Sequence, residues 1–162
     1  MKTYPTLLLL ALLTFLGIQV QAQSYTKKVL AKTPELEVGK VYNGQDVRAA
    51  KKLFPDGVAI DDRTVYPFAK ITGRRVVVIF YFRTQSGADV VYMNATALRK
   101  KNLQPENVNR YIFSDGTIGD TKYSCTLTMD KKKVVTFKQM ENGKLTTQRY
   151  RIKGKRFAII VE

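Results

Sequence analysis

The dipeptide Asn142-Gly143 constrains this chain more than any other feature, because it separates two segments whose residues alternate in polarity. Both residues tolerate positive φ, so a two-residue hairpin turn is predicted there. The turn sets a register. Glu141 falls opposite Lys144, Met140 opposite Leu145, Phe137 opposite Gln148, Thr136 opposite Arg149 and Val135 opposite Tyr150, with Val134 facing Arg151. Residues directly opposite share a face. One face therefore collects Val135, Phe137, Tyr150 and Ile152, and the other collects Thr136, Lys138, Thr147, Arg149 and Arg151.

The hairpin belongs to a longer meander from Thr121 to Val161. Tyr123, Cys125, Leu127 and Met129 alternate with Ser124, Thr126 and Thr128, the period of a strand with one buried face. Asp130-Lys131-Lys132 breaks that pattern, and Gly154 among its lysines makes the last turn before Phe157 to Val161. Four strands and three tight turns are predicted.

Val76 to Phe82 is β-branched and aromatic throughout, which predicts a central strand covered on both faces. A turn at Ser86-Gly87 would pair Phe82 with Val91 and Tyr81 with Tyr92, the return strand running over Val90 to Met93. Two short helices are expected to cover the second face. Asp46 would cap the first, through Leu53, whose Val47, Ala50, Leu53 and Phe54 share a side; Asn94 would cap the second, Ala95 to Lys101. Tyr25 to Leu30 reads as a short strand, Asn43-Gly44 as a turn, Gln104 to Asn109 as a loop, Arg110 to Phe113 as a strand and Ser114-Asp115-Gly116 as a turn. The expected fold is α+β and mainly β: a curved antiparallel sheet of about seven or eight strands, barrel-like or open, with one or two short helices.

Tyr66-Pro67, Ala69 and Gly73-Arg74 precede Val76 to Phe82 and the Gly87 hairpin. This run resembles the opening of the C-terminal domain of TonB-type energy-transducing proteins. The chain departs from that pattern after Gly87, where it carries four further strands, and no residue role is carried over.

Lys2, an apolar run from Leu7 to Ile18, and Val20 and Ala22 at the −3 and −1 positions read as a secretory signal peptide over residues 1–22. The run is shorter than the roughly 20 apolar residues that span a bilayer. Residues 23–162 are then expected to form one β-rich domain in the periplasm, cell envelope or secreted space. Cleavage would remove only Lys2 from the charge count, lowering the net charge from +15 to +14. From Lys122 to Arg156 there are eleven Lys or Arg against Asp130 and Glu141. Such a field attracts polyanions and anionic lipid surfaces.

The chain has no histidine and one cysteine. That excludes histidine-assisted hydrolysis, the usual zinc sites and any internal disulfide. It also lacks phosphate-loop and dinucleotide fingerprints. No catalytic residue, cofactor or metal is assigned. Asp61-Asp62 reads as a polar turn, and Asp115 and Asp120 bracket a glycine-containing loop with too few carboxylates for calcium. Asn94-Ala95-Thr96 is a glycosylation sequon. Phe137 and Tyr150 fall on the core face, away from Lys138 and Arg149, and this separation, like export, argues against nucleic acid. The expected function is a non-catalytic binding module whose candidate anion-binding residues are Lys138, Arg149, Arg151 and Lys153. The alternatives are a calycin-like carrier of a small apolar ligand and an enzyme built on Asp61 or Asp62 meeting Asp115 or Asp120.

Overall fold

The computed structural model describes residues 27–60, 63–84, 91–103, 105–107 and 113–160. The proposed signal peptide, Asp61-Asp62 and the Ser86-Gly87 turn lie outside them. The described chain forms a helix α1 over residues 27–32, strand β1 (Tyr42–Asn43), helix α2 (Gly44–Ala49) running into a 3-10 turn (Ala50–Lys52), and then strands β2 (Val58–Ile60), β3 (Arg63–Thr72), β4 (Val76–Thr84), β5 (Val91–Arg99), β6 (Pro105–Asn107), β7 (Phe113–Ile118), β8 (Thr121–Met129), β9 (Val135–Glu141), β10 (Lys144–Lys153) and β11 (Arg156–Ile159). All the ladders are antiparallel, in the order β11-β10-β9-β8-β7-β5-β4-β3-β2, with β1 on β8 and β6 on β5. The sheet is mainly β as expected and does not close.

It is nevertheless strongly curved. Phe80 on β4 and Phe157 on β11 stand six places apart in strand order. A flat sheet would separate them by about 29 Å at the usual strand spacing, yet their ring centroids are 5.7 Å apart. The concave side is filled by these rings: Phe80 also meets Phe68 at 6.3 Å and Phe137 at 6.2 Å, and Tyr150 meets Phe137 at 5.5 Å and Phe157 at 5.3 Å. Leu127, Val135, Phe137 and Tyr150 are fully buried here with Val76, Val78, Phe80 and Phe82.

The convex side of β3–β5 carries a second cluster, in which Val77, Ile79, Tyr81 and Leu98 pack with Val29, Phe54, Val58 and Val65. Burial of β4 on both faces is thus as the composition of Val76 to Phe82 predicts. The cover differs. Residues 27–32, which overlap the segment Tyr25 to Leu30 read as a strand, form α1. Its C-terminal end is held by Thr33, whose N–H and hydroxyl both donate to the Val29 carbonyl, and by Lys70, whose ammonium donates to the Leu30 carbonyl at 2.6 Å. A cation at the end of a helix is favourable. Of the predicted helix over Ala95 to Lys101, the stretch to Arg99 is instead the second half of β5, paired with β4 from Val76–Arg99 to Thr84–Val91, and Lys100-Lys101 lie in the turn that follows. Alanine and leucine favour helix by propensity, but β4 needs a partner along its whole edge, and packing overrides propensity. The small side chains have a use there. Ala95 lies opposite Phe80 and Ala97 opposite Val78, leaving concave-side room for the rings. The register places Phe82 opposite Met93 and Tyr81 opposite Asn94, two positions from the expected pairing, so the same residues still share faces. Asn94 is buried in mid-strand, a position with no room for a glycan.

The α2 region follows the predicted position with a different cap. Asn43 Oδ1 accepts from the N–H groups of Gln45 and Asp46, and Asp46 Oδ2 accepts from the Asn43 N–H at 3.1 Å, a reciprocal capping box. Ser114-Asp115-Gly116 is part of β7 rather than a turn, and Gly119-Asp120 makes the turn into β8. Pro105–Asn107, read as loop, pairs with β5. Asp115 Oδ2 accepts the Gly44 N–H at 3.1 Å, so β7 anchors the start of α2. A Cβ at Gly44 would lie 2.6 Å from each Asp115 carboxylate oxygen. Gly44→Ala is expected to cost about 1–3 kcal/mol through overpacking, and in combination with Asp115→Ala to cost less than the sum of the two. Urea denaturation of the four proteins checks this; strict additivity would mean that the two residues do not touch.

Candidate functional site

The β9–β10 ladder has the register that Asn142-Gly143 predicts, from Glu141–Lys144 to Val135–Tyr150, and both turn residues adopt positive φ. The ladder stops before Val134–Arg151, because the Val134 N–H donates to Asp130 Oδ1 in the preceding turn. With Leu127, Phe137 and Tyr150 fixed inward, alternation sends Lys122, Lys138, Arg149, Arg151, Lys153 and Arg156 outward. The remaining outward positions on β8–β11 hold Ser124, Thr126, Thr128, Thr136, Met140, Leu145, Thr147 and Ala158, with no Asp or Glu.

The four residues expected to bind anions therefore lie on one face. Lys138, Arg151 and Lys153 are exposed; Arg149 is half-buried and already engaged within the fold. Two members were missed. Lys122 follows from the β8 alternation, and Arg156 from the Gly154 turn, which sets it opposite Lys153; the same counting that found Lys138 could have found both. The six cations run obliquely across the face, from Lys153 and Arg156 on the β10–β11 hairpin, through Arg151 and Arg149, to Lys138 on β9 and Lys122 on β8. Lys122, Lys138, Arg151, Lys153 and Arg156 form no ion pair among the described residues. A second basic group gathers where the β3–β4 turn meets the end of β5. Arg74 and Arg75 lie beside Arg99 and Lys100, tied by a Lys100 N–H to Arg75 carbonyl hydrogen bond of 3.0 Å.

Among the described residues the acidic side chains build nothing comparable. Asp115 serves the start of α2, and Asp120 is exposed in the β7–β8 turn. Among the described residues no three His, Cys, Asp or Glu side chains converge. Cys125 faces the core at 2 % exposure, and its burial, with Asp115 nearby, pushes the thiol pKa up to about 12. Burial and the neighbouring Glu141 carboxylate raise the Tyr123 phenol; its hydroxyl donates to Glu141 at 3.3 Å. A cleft of about 260 Å³, lined by Lys28, Val29, Lys32, Phe54 and the Pro55–Gly57 turn, opens beside α1 rather than within the curved sheet. On the concave side of the described strands, rings from β3, β4, β9, β10 and β11 meet one another. Among the described residues, no helix is long and apolar enough to cross a membrane. The chain matches no protein-family model, no curated protein and no solved structure.

Proposed function

We propose that this protein is a non-catalytic binding module of the cell envelope or extracellular space, and that the outward face of β8–β11 meets an anionic partner. One observation carries the reading: six cations and no acid share that face, on strands whose opposite side is a packed core. Because the two faces divide the work, charge can accumulate on one without disturbing the fold. The N-terminal export pattern supports the location.

The mechanism is electrostatic. Each Lys or Arg near an anionic surface contributes about 1 kcal/mol at physiological ionic strength, and the attraction fades within a Debye length of about 8 Å. Replacing Lys138, Arg151 and Lys153 together by Gln is expected to weaken binding to heparin by about two orders of magnitude at low salt. Exposed substitutions of this kind should leave unfolding free energy within about 1 kcal/mol. Heparin affinity measured across a salt series decides the matter. Binding that is absent at low salt, or that does not weaken as salt rises, would sink the proposal.

A further inference from the structure

The basic face ends at an apolar tip. Met140 and Leu145 lie directly opposite each other, one pair before the Asn142-Gly143 turn. Both point outward with the cations, and they are 39 % and 55 % exposed. Ser124 is the β8 neighbour of Met140. The next row along the sheet, about 6.7 Å away, holds Lys138 between Thr126 and Thr147. On the other side Lys122 is held level with the tip, since its N–H donates to Asn142 Oδ1 at 3.1 Å and the Asn142 N–H donates to its carbonyl at 3.3 Å. Two large apolar side chains thus stand in water between Lys138 and Lys122.

A soluble polyanion offers such a pair nothing, since its surface is charged and hydrated. A bilayer with anionic headgroups offers both halves of the match. Phosphates meet the lysines and arginines, while the acyl boundary a few ångströms below takes apolar side chains. We infer that the anionic partner is a lipid bilayer, on which the β8–β11 face lies with Met140 and Leu145 dipping into the headgroup–acyl boundary; this rests on the proposed anion-binding role of the same face. The tip suits the task because Asn142 and Gly143 close the hairpin in two residues, so Met140 and Leu145 sit close to its end and project together. Attachment of this kind is peripheral and reversible, a combination of charge and shallow apolar burial.

The full chain lacks tryptophan, so Leu145→Trp supplies a single reporter. On vesicles of phosphatidylglycerol and phosphatidylcholine its emission is expected to shift to the blue, and on heparin it is expected to stay where it is in buffer. Met140→Ser/Leu145→Ser is expected to partition to these vesicles about tenfold more weakly or worse, tenfold being 1.4 kcal/mol, less than full burial of one such side chain returns. The same variant should bind heparin as the parent protein does and melt at the same temperature, because both residues are exposed. Vesicle binding unchanged in the double variant would overturn the inference, as would a Leu145→Trp spectrum that stays unshifted on vesicles that bind. Heparin binding without vesicle binding overturns the lipid partner alone. Absence of both at low salt overturns the anion-binding face with it.

Discussion

Phe80→Ala is expected to lower the unfolding free energy by about 3–5 kcal/mol and the melting temperature by about 10 °C or more. The ring is fully buried and touches Phe68 from β3, Phe137 from β9 and Phe157 from β11. Through it β4 meets β9 and β11 across the concave side. Its removal leaves a cavity walled by strands that are braced by their own ladders and can collapse only partly, so the cavity adds to the lost transfer energy. Phe54→Ala makes the comparison. Phe54 is 8 % exposed and borders the open cleft beside α1, where solvent can fill the space left behind, so a smaller loss is expected. Urea unfolding of the two variants measures both. A loss under about 1 kcal/mol at Phe80 would be far below the range for a buried phenylalanine, and would mean that β9–β11 do not pack over β4.

The second large effect is one of pH, and Cys125 is its origin. In the unfolded chain a cysteine thiol titrates near 8.5, while in the folded protein burial pushes it up to about 12. Below pH 8.5 both states hold the proton and stability is unaffected. Above it the unfolded state releases the proton first and the folded state retains it. The unfolded state then binds fewer protons, so stability falls as pH rises, by up to about 1.4 kcal/mol per pH unit, until the folded thiol also ionises. The measurement is a difference between two proteins that share every other titratable group. Cys125→Ala is expected to be less stable than the parent at pH 8, where it has lost buried volume, and the gap should narrow steadily between pH 9 and 11. Denaturation midpoints of the two proteins across that range give the result. Parallel curves would show that the fold accommodates the thiolate at Cys125.

What could be read in the sequence was whatever two neighbouring strands decide between themselves. Asn142-Gly143 and the contrast between Phe137 and Lys138, or Tyr150 and Arg149, suffice for the whole β9–β10 register, since any odd slip would bury cations. Val76 to Phe82 carries its burial in its composition. What could not be read depends on distant partners. Ala95 to Leu98 are strand because β4 offers them an edge and the rings opposite need small neighbours. Residues 27–32 are helix in part because Lys70, forty positions away, holds their carbonyl end. Asp115 and Gly116 look like a turn until Gly44 is placed beside them. The basic face was legible by the same counting as the core, and Lys122 and Arg156 extend it. The register already paired Met140 with Leu145; that both stay exposed is a property of the folded surface, which alternation alone does not reveal.

The ladder order has a consequence for how the chain reaches this state. Eight of the ten ladders among the described residues join strands that follow one another along the chain; β5–β7 and β1–β8 do not. Hairpins of the first kind close short loops and form in microseconds, so β2–β5 and β8–β11 can each assemble as a local array. Neither array can bury its concave rings alone, because Phe80 finds Phe137 and Phe157 only in the other. The entropy of bringing distant segments together therefore falls on one late event, when β7 joins the arrays and Tyr42 reaches Leu127. The chain is local in its pairing and non-local in its core, and the folding barrier belongs to the core.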